Sequence, residues 1–312
     1  MQVLHLETIK RKTVLFITGV WFIASFVLGQ QRAVSRSTED EKAALQQYDG
    51  TIIDVHVYAS IQSTMVKKFS DIEKYKITHG AISGPWSLME QVRAKGKGKF
   101  LYGLMFPCPN NFAYTLGAKC FDTGNEYPDT VWVKKQIEEK RIDFIGELLN
   151  QYYGISPSDS SLDPYYRLAE RCNLPVGVHL GLADPGSVFK WAPNFKASLG
   201  NPLLLEDVVK KYPKLRVWIM HAGHPYSQEL LALMWMYPQV YVDIAAIASN
   251  APFKNFYNYM KTLVDAGLED RIMYGSDGEV AGSVKAINDL DFLTLTQKEK
   301  IFKKNAIVFF GY

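Results

Sequence analysis

Ile52-Ile53-Asp54-Val55-His56-Val57-Tyr58 is the stretch on which the reading of the fold turns. Isoleucine and valine dominate it, interrupted at every second position by Asp54, His56 and Tyr58. Such a run reads as an extended strand, and a side-chain period of two predicts that Asp54, His56 and Tyr58 share one face. Working outward, seven further strand-like runs follow at 79–83, 100–106, 142–148, 175–181, 216–222, 240–247 and 271–276. Helix-like stretches lie between them at 130–140, 165–173, 203–212, 228–236 and 253–266, the last ended by Gly267. Asp163-Pro164 and Asn201-Pro202 are good helix openings, because proline in the first turn wastes no hydrogen bond. Strands joined by helices run parallel, and eight such units predict a closed (β/α)8 barrel of the TIM type. The competing doubly wound sheet lacks its mark: no glycine-rich phosphate loop follows a strand, and Gly96-Lys97-Gly98 precedes one.

The chain has 312 residues, 47% of them hydrophobic and 21% charged, enough for one large domain with a sizeable core. That mix excludes a disordered polyelectrolyte, and three cysteines exclude a disulfide-dense miniature scaffold. The formal charge is +3, and two of those charges belong to the first 29 residues, where Lys10, Arg11 and Lys12 face only Glu7. A body this close to neutral carries no electrostatic footprint for nucleic acid.

Lys10-Arg11-Lys12 precedes an apolar run that ends at Val27-Leu28-Gly29. A basic start, a short apolar core and small residues near the end read as a secretory signal over 1–29, with cleavage near Gln30. An uncleaved membrane anchor is the alternative, because the run falls just short of the ~18–20 residues of a comfortable span. Residues 30–50 read as a linker and 51–312 as the barrel domain. The expected location is therefore periplasmic or secreted. Such a compartment permits Cys108 and Cys120 to pair across a loop, leaving Cys172 over. The expected partner is a small-molecule substrate, with membrane contact only through a retained leader. Met234-Trp235-Met236 leaves a homo-oligomer open, although core packing accounts for it as well.

In a barrel of this kind the chemistry gathers at the carboxyl ends of the strands. His56 lies in the first run, Glu147 ends the fourth, His179 falls in the fifth and His221 in the sixth, and Asp277 follows the eighth. Each alone has a structural reading: a satisfied core imidazole, a helix cap at Asp277, a carboxylate braced by a neighbouring base, Asp54 stiffening the barrel. Together they are costly to bury unless they pair or hold a cation. Two or three imidazoles with a carboxylate suit zinc or a similar divalent ion; a metal-free polar cluster is the alternative.

Ile52-Ile53-Asp54-Val55-His56-Val57-Tyr58, Asn173-Leu174-Pro175-Val176-Gly177-Val178-His179, Trp218-Ile219-Met220-His221-Ala222-Gly223 and Met273-Tyr274-Gly275-Ser276-Asp277 resemble, in order and spacing, the amidohydrolase-related family. This is the branch of the amidohydrolase superfamily that holds metal-dependent decarboxylases and lactonases. The closing Lys304-Asn305-Ala306 is similar to that family's last helix. The resemblance implies a (β/α)8 barrel with His56 and His179 as metal ligands, joined by Asp277, Asp54 and Glu147 as candidates. The expected cofactor is a divalent metal, zinc by its donor set with manganese possible in its place, and a metal-free site is the alternative. Asp277 is also the implied general base, His221 the charge stabiliser, and Glu147 a coordinating or catalytic carboxylate. Tyr58 departs from the pattern, since relatives commonly place a second histidine there, and tyrosine is a poor ligand unless ionised. His224 is a candidate for the missing nitrogen or for a loop cap.

The implied reaction is hydrolysis of a small amide or lactone, in which Asp277 takes a proton from water and His221 stabilises the oxyanion. Non-oxidative decarboxylation of a cyclic acid on the same residues is the alternative, and a degenerate barrel that only binds a small molecule is the third. Long loops at 107–129 and 183–200 offer lid or substrate contacts. Tyr58, His224 and Trp191 are the candidate substrate contacts. Phe112, Tyr114, Phe189 and Phe195 suit a cyclic substrate or simply pin the loops down, and Lys119, Lys190 and Lys196 read as solvated surface.

Overall fold

The computed structural model describes residues 47–59, 70–96, 99–113 and 118–312. The leader at 1–29, the linker up to residue 46 and Tyr114 lie outside the described residues. Among the described residues no helix is long and apolar enough to cross a membrane.

Eight strands form one all-parallel sheet in chain order: β1 (Ile52–Tyr58), β2 (Ile77–Gly84), β3 (Phe100–Phe106), β4 (Phe144–Leu148), β5 (Val176–His179), β6 (Val217–Met220), β7 (Val240–Asp243) and β8 (Ile272–Met273). The ring closes where Val55 N–H donates to the Tyr274 carbonyl at 3.0 Å and Asp277 N–H donates to the His56 carbonyl at 3.1 Å. This is the predicted barrel. The runs expected for β5 to β8 extend beyond the observed strands because their last residues leave the ladder and build the mouth. Helices α1 (Trp86–Gly96), α2 (Thr130–Glu138), α3 (Asp163–Arg171), α4 (Glu206–Lys211), α5 (Ser227–Met236) and α6 (Phe253–Asp265) lie between the strands. The starts are encoded locally: Asp129 Oδ1 accepts from Val131 N and Trp132 N at 2.9 and 3.0 Å, and Pro164 and Pro202 occupy first-turn positions. In the loop after β3, Cys108 and Cys120 are joined by a disulfide and Cys172 is free.

Two apolar layers divide the strands. Ile52 and Val57 belong to the layer between barrel and helices. Ile53 and Val55 belong to the barrel's interior with Phe144, Trp218, Met220 and Met273, closed below by Ala306 and Phe309 of the last helix, α7 (Asn305–Phe310). Inward positions at 53 and 55 and an outward one at 57 are incompatible with an unbroken period of two ending in an inward His56. The register supplies the reason. Asp54 pairs with Gly80 and Val57 with Ile82, so three steps on β1 oppose two on β2. That is a bulge, which lets His56 follow Val55 into the interior. The expectation that Asp54 shares the face of His56 and Tyr58 is therefore corrected. Asp54 lies on the Val57 side, lining a small cavity with Ile72, Ile77 and Ser276. A second bulge of the same kind sits in β4, where Ile145 pairs with Val176 and Leu148 with Val178, and it carries Glu147.

Candidate metal centre and active site

The mouth is assembled from residues that the strands release at their carboxyl ends. The β1 bulge delivers His56 and the β4 bulge delivers Glu147; His179 is the last residue of β5. His221 and Asp277 follow β6 and β8 in left-handed backbone, with φ of 61° and 52°, and Ala222 beside His221 has φ of 50°. Left-handed conformation at three non-glycine residues is strain of the kind held at functional sites. Gly275 on the eighth segment is required by close approach, because a Cβ there would stand 2.7 Å from the His56 Cβ and 3.1 Å from that of Ala245.

The ring nitrogens are fixed from behind. Asp243, the last residue of β7, accepts from His56 Nδ1 and Trp218 Nε1 at 3.0 Å through Oδ2, and from the backbone N–H groups of His221 and Ala245 at 3.0 Å through Oδ1. A carboxylate with four donors leaves His56 Nδ1 no role but donor, so its Nε2 faces the mouth. His221 Nδ1 donates to the Ala245 carbonyl at 3.0 Å, which turns its Nε2 the same way. Gln151, in the short turn after β4, donates through Nε2 to the carbonyls of Gly181 at 2.7 Å and Lys196 at 3.2 Å. Its Oε1 is therefore the acceptor, taking the His179 Nδ1 proton at 3.1 Å and the Gly181 N–H at 3.2 Å. His179 Nε2 is then a bare lone pair, fully buried and without a hydrogen-bond partner.

These groups converge. Ligand atoms of His56, Glu147 and His221 lie within 4.8 Å of one another. His221 Nε2 is 3.5 Å from Glu147 Oε1, and the His221 ring centroid is 4.8 Å from that of His179 and from that of His56. Tyr58 enters between two of them: its hydroxyl is 2.7 Å from His56 Nε2 and donates to Glu147 Oε2 in a short contact. Burial works against charge on His56, but the charge and hydrogen bond of Asp243, with Glu147 and Asp277, raise it to about 10. Burial would raise the Glu147 carboxyl; the His221 contact and the charges of His179 and His56 outweigh it and hold it at about 2. Burial, reinforced by the nearby His221, lowers His179 to about 3, keeping its ring neutral. Asp277, half-buried at the rim, is raised by burial despite the imidazoles of His56 and His221.

The donor set passes a chemical test for a divalent cation. Two imidazole nitrogens and a carboxylate converge, and a third imidazole presents an orphaned buried lone pair beside them, the arrangement that a borderline cation completes. The family model described as Amidohydrolase matches residues 134–312, more than half the chain. The chain belongs to the amidohydrolase family. Three individual proteins show the range of its similarities. A segment of 106 residues is 23% identical to protein fluG of Emericella nidulans, covering 34% of this chain and 11% of that one, so the match spans about a tenth of the curated relative. The fold is similar to a probable 2-pyrone-4,6-dicarboxylic acid hydrolase from Acinetobacter baumannii at TM-score 0.55, with 14% identity over 84% of this chain and 100% of the other. It is also similar to a 5-carboxyvanillate decarboxylase from Novosphingobium aromaticivorans, solved with manganese and a nitrobenzoic acid, at TM-score 0.57 and 13% identity over 86% and 99% of the chains.

Within this amidohydrolase barrel the other sequence candidates fall in distinct places. Asp54 is not among the converging ligands: its Oδ1 accepts from the N–H groups of His56 at 3.1 Å and Ser276 at 3.0 Å, tying β1 to the eighth segment, and burial raises it to about 6. His224 lies edge-on to Tyr259 at 5.1 Å and is not among the residues whose ligand atoms converge. Trp191 stands on the rim, 5.2 Å from Tyr152, whose ring lies 4.4 Å from His179 and 5.4 Å from Phe195. Asp243, Gln151 and Tyr152 were not anticipated from the sequence. For Asp243 the signal was present, a carboxylate closing an apolar strand, as at Glu147. Gln151 and Tyr152 carry none, because a turn of Asn150–Tyr153 has no pattern that sets it apart.

Proposed function

We propose that this amidohydrolase is a metal-dependent hydrolase of a small organic amide or lactone, with Asp277 as the proton acceptor. The observation that supports this most is His179 Nε2, a lone pair turned by Gln151 into the mouth and left without a partner. A buried acceptor of that kind is retained where a bound group completes it. The residues that would hold a divalent cation, zinc in our reading, are His179, His221, Glu147 and His56 with Asp277 at the rim; the ion supplies Lewis acidity and an acidified water.

The chain's own residues supply the rest. Asp277, whose carboxyl feels the imidazoles of His56 and His221, would receive a proton from the attacking water and pass it to the leaving nitrogen or oxygen. His221, its Nδ1 proton held by the Ala245 carbonyl, would offer the Nε2 lone pair to the cation, so the charge-stabilising role that the resemblance implied for it would fall to the ion. Tyr152, Phe195 and Trp191 make an aromatic wall beside His179 on which a flat ring can stack. The expected setting is outside the cytoplasm, supported by the leader and by the Cys108–Cys120 disulfide. Decarboxylation of a cyclic acid is the second reading, favoured by the aromatic wall and by the likeness to the 5-carboxyvanillate decarboxylase fold. There the Asp277 carboxyl would deliver the proton to the carbon that CO2 leaves.

Elemental analysis of the purified protein, followed by lactone, amide and aromatic-carboxylate panels with and without chelator, separates the readings. Chelator-sensitive hydrolysis supports the first, and CO2 release without hydrolysis moves the assignment to the second. Absence of metal together with absence of turnover leaves a barrel that only binds.

A further inference from the structure

The structure also assigns a role to the residue that departs from the family pattern. We propose that the Tyr58 hydroxyl is a latch on His56 Nε2 and Glu147 Oε2, so that a cation gains those two ligand atoms only by displacing it and is otherwise held weakly and exchangeably by the open ones. The inference rests on the metal-centre reading above and deepens it.

Three observations carry it. The Tyr58 hydroxyl engages His56 Nε2 at 2.7 Å and Glu147 Oε2 at short range, and these residues supply two of the three converging ligands. The His56 ring is held from behind by Asp243 at 3.0 Å, and Glu147 is delivered by the β4 bulge with its Oε1 3.5 Å from His221 Nε2. Tyr58 itself ends β1, its main chain fixed opposite Ser83 of β2. What remains to move is the phenol ring. By contrast His179 Nε2 has no such occupant. The centre is therefore split into an open part at His179 Nε2, His221 Nε2 and Glu147 Oε1 and a latched part at His56 Nε2 and Glu147 Oε2. A tyrosine that merely oriented the ligands would have the opposite effect on affinity, because removing a supporting hydrogen bond to a ligand weakens the ion by 10–100-fold.

The test is a titration of Mn2+ and of Zn2+ into the metal-stripped, full-length protein by calorimetry, with thermal unfolding recorded in parallel and no turnover measured. Tyr58→Phe is expected to bind at least ~10-fold more tightly than the parent, equivalent to ~1.4 kcal/mol. Its melting temperature is expected to fall without metal, where His56 and Glu147 lose a partner, and to rise more steeply than the parent's when metal is added. Tyr58→His, which replaces the latch by a nitrogen ligand, is expected to tighten binding further and serves if the phenylalanine variant folds poorly. Equal or weaker binding in both variants overturns the latch. If the parent binds metal well and the variants no better, the latch alone falls and the metal centre stands. If neither the parent nor the variants bind, both readings fall; binding only in the variants supports the latch in its strongest form.

Discussion

Asp243 takes four hydrogen bonds on two oxygens, from two side chains and two main-chain groups, and it is fully buried. Burial would raise its carboxyl, yet the His56 charge and hydrogen bond keep it below its ordinary value. It thus sets the tautomer of His56 and the main-chain position of His221 together. Asp243→Asn keeps the shape but turns an NH2 group toward donors. We expect it to cost ~3–5 kcal/mol of stability, the range for breaking a buried charged pair, and to weaken metal binding 10–100-fold. Denaturant unfolding and calorimetric titration measure the two, and an unchanged metal affinity would remove Asp243 from the support of the centre. At this scale the sequence was partly legible. His56, Glu147, His179, His221 and Asp277 stand out as candidates because titratable groups in apolar strands are conspicuous. Asp243 occupies the same kind of position, at the end of Val240-Tyr241-Val242, but with no imidazole beside it in the chain to mark it. Gln151 does its work through an amide orientation that only neighbouring carbonyls reveal.

Elements were legible to within a few residues, because β-branched runs, first-turn prolines and a terminating glycine are physical instructions read locally. The two bulges were not. An extra residue in β1 or β4 has no signature in the alternation of a run that is apolar on both faces, and it shows only when the partner strand fixes the register. That is why Asp54 was placed with His56 and belongs elsewhere. Contacts between helices were equally silent, and one has a testable pH signature. Asp163, at the start of α3, accepts from Arg167 at 2.8 Å, from the Tyr212 hydroxyl at 2.8 Å and from Lys211 of α4. The Lys211 hydrogen bond, with that of Tyr212, holds its carboxyl below the ordinary value. A carboxyl depressed in the folded state stabilises above its unfolded pKa and loses that contribution as pH falls through the folded value. Asp163→Asn should therefore cost at most ~1 kcal/mol at neutral pH, as for other solvent-screened pairs, and the gap to the parent should close as pH drops below ~4. Chemical unfolding at several pH values measures it; a gap that is constant with pH would mean that charge at Asp163 contributes nothing.

For the molecule as a whole, the barrel separates two tasks along its axis. The amino ends of the strands are sealed by α7: Phe309 lies 4.8 Å from Tyr241 and 5.8 Å from Trp218, Phe310 lies 5.4 Å from Trp218, and Arg216 donates to the Phe309 carbonyl. The carboxyl ends carry the imidazoles and carboxylates. Trp218 connects the two halves, since its ring stands on Phe309 and its Nε1 reaches Asp243 at 3.0 Å. Closure of the ring and the gathering of chemistry at one end followed from the order of elements, which is why they could be read before any distance was known. The connection through Trp218 could not, because nothing in a sequence says which tryptophan spans the core. It leads to a sharp expectation. Phe309→Ala removes a buried ring from the floor and should cost ~3–5 kcal/mol in unfolding free energy, with metal affinity changed by less than the 10-fold that Asp243→Asn produces at the least. If instead the floor variant loses metal as severely as the Asp243 variant, Trp218 transmits the floor's packing to the His56 anchor, and the two ends of the barrel act as one coupled unit.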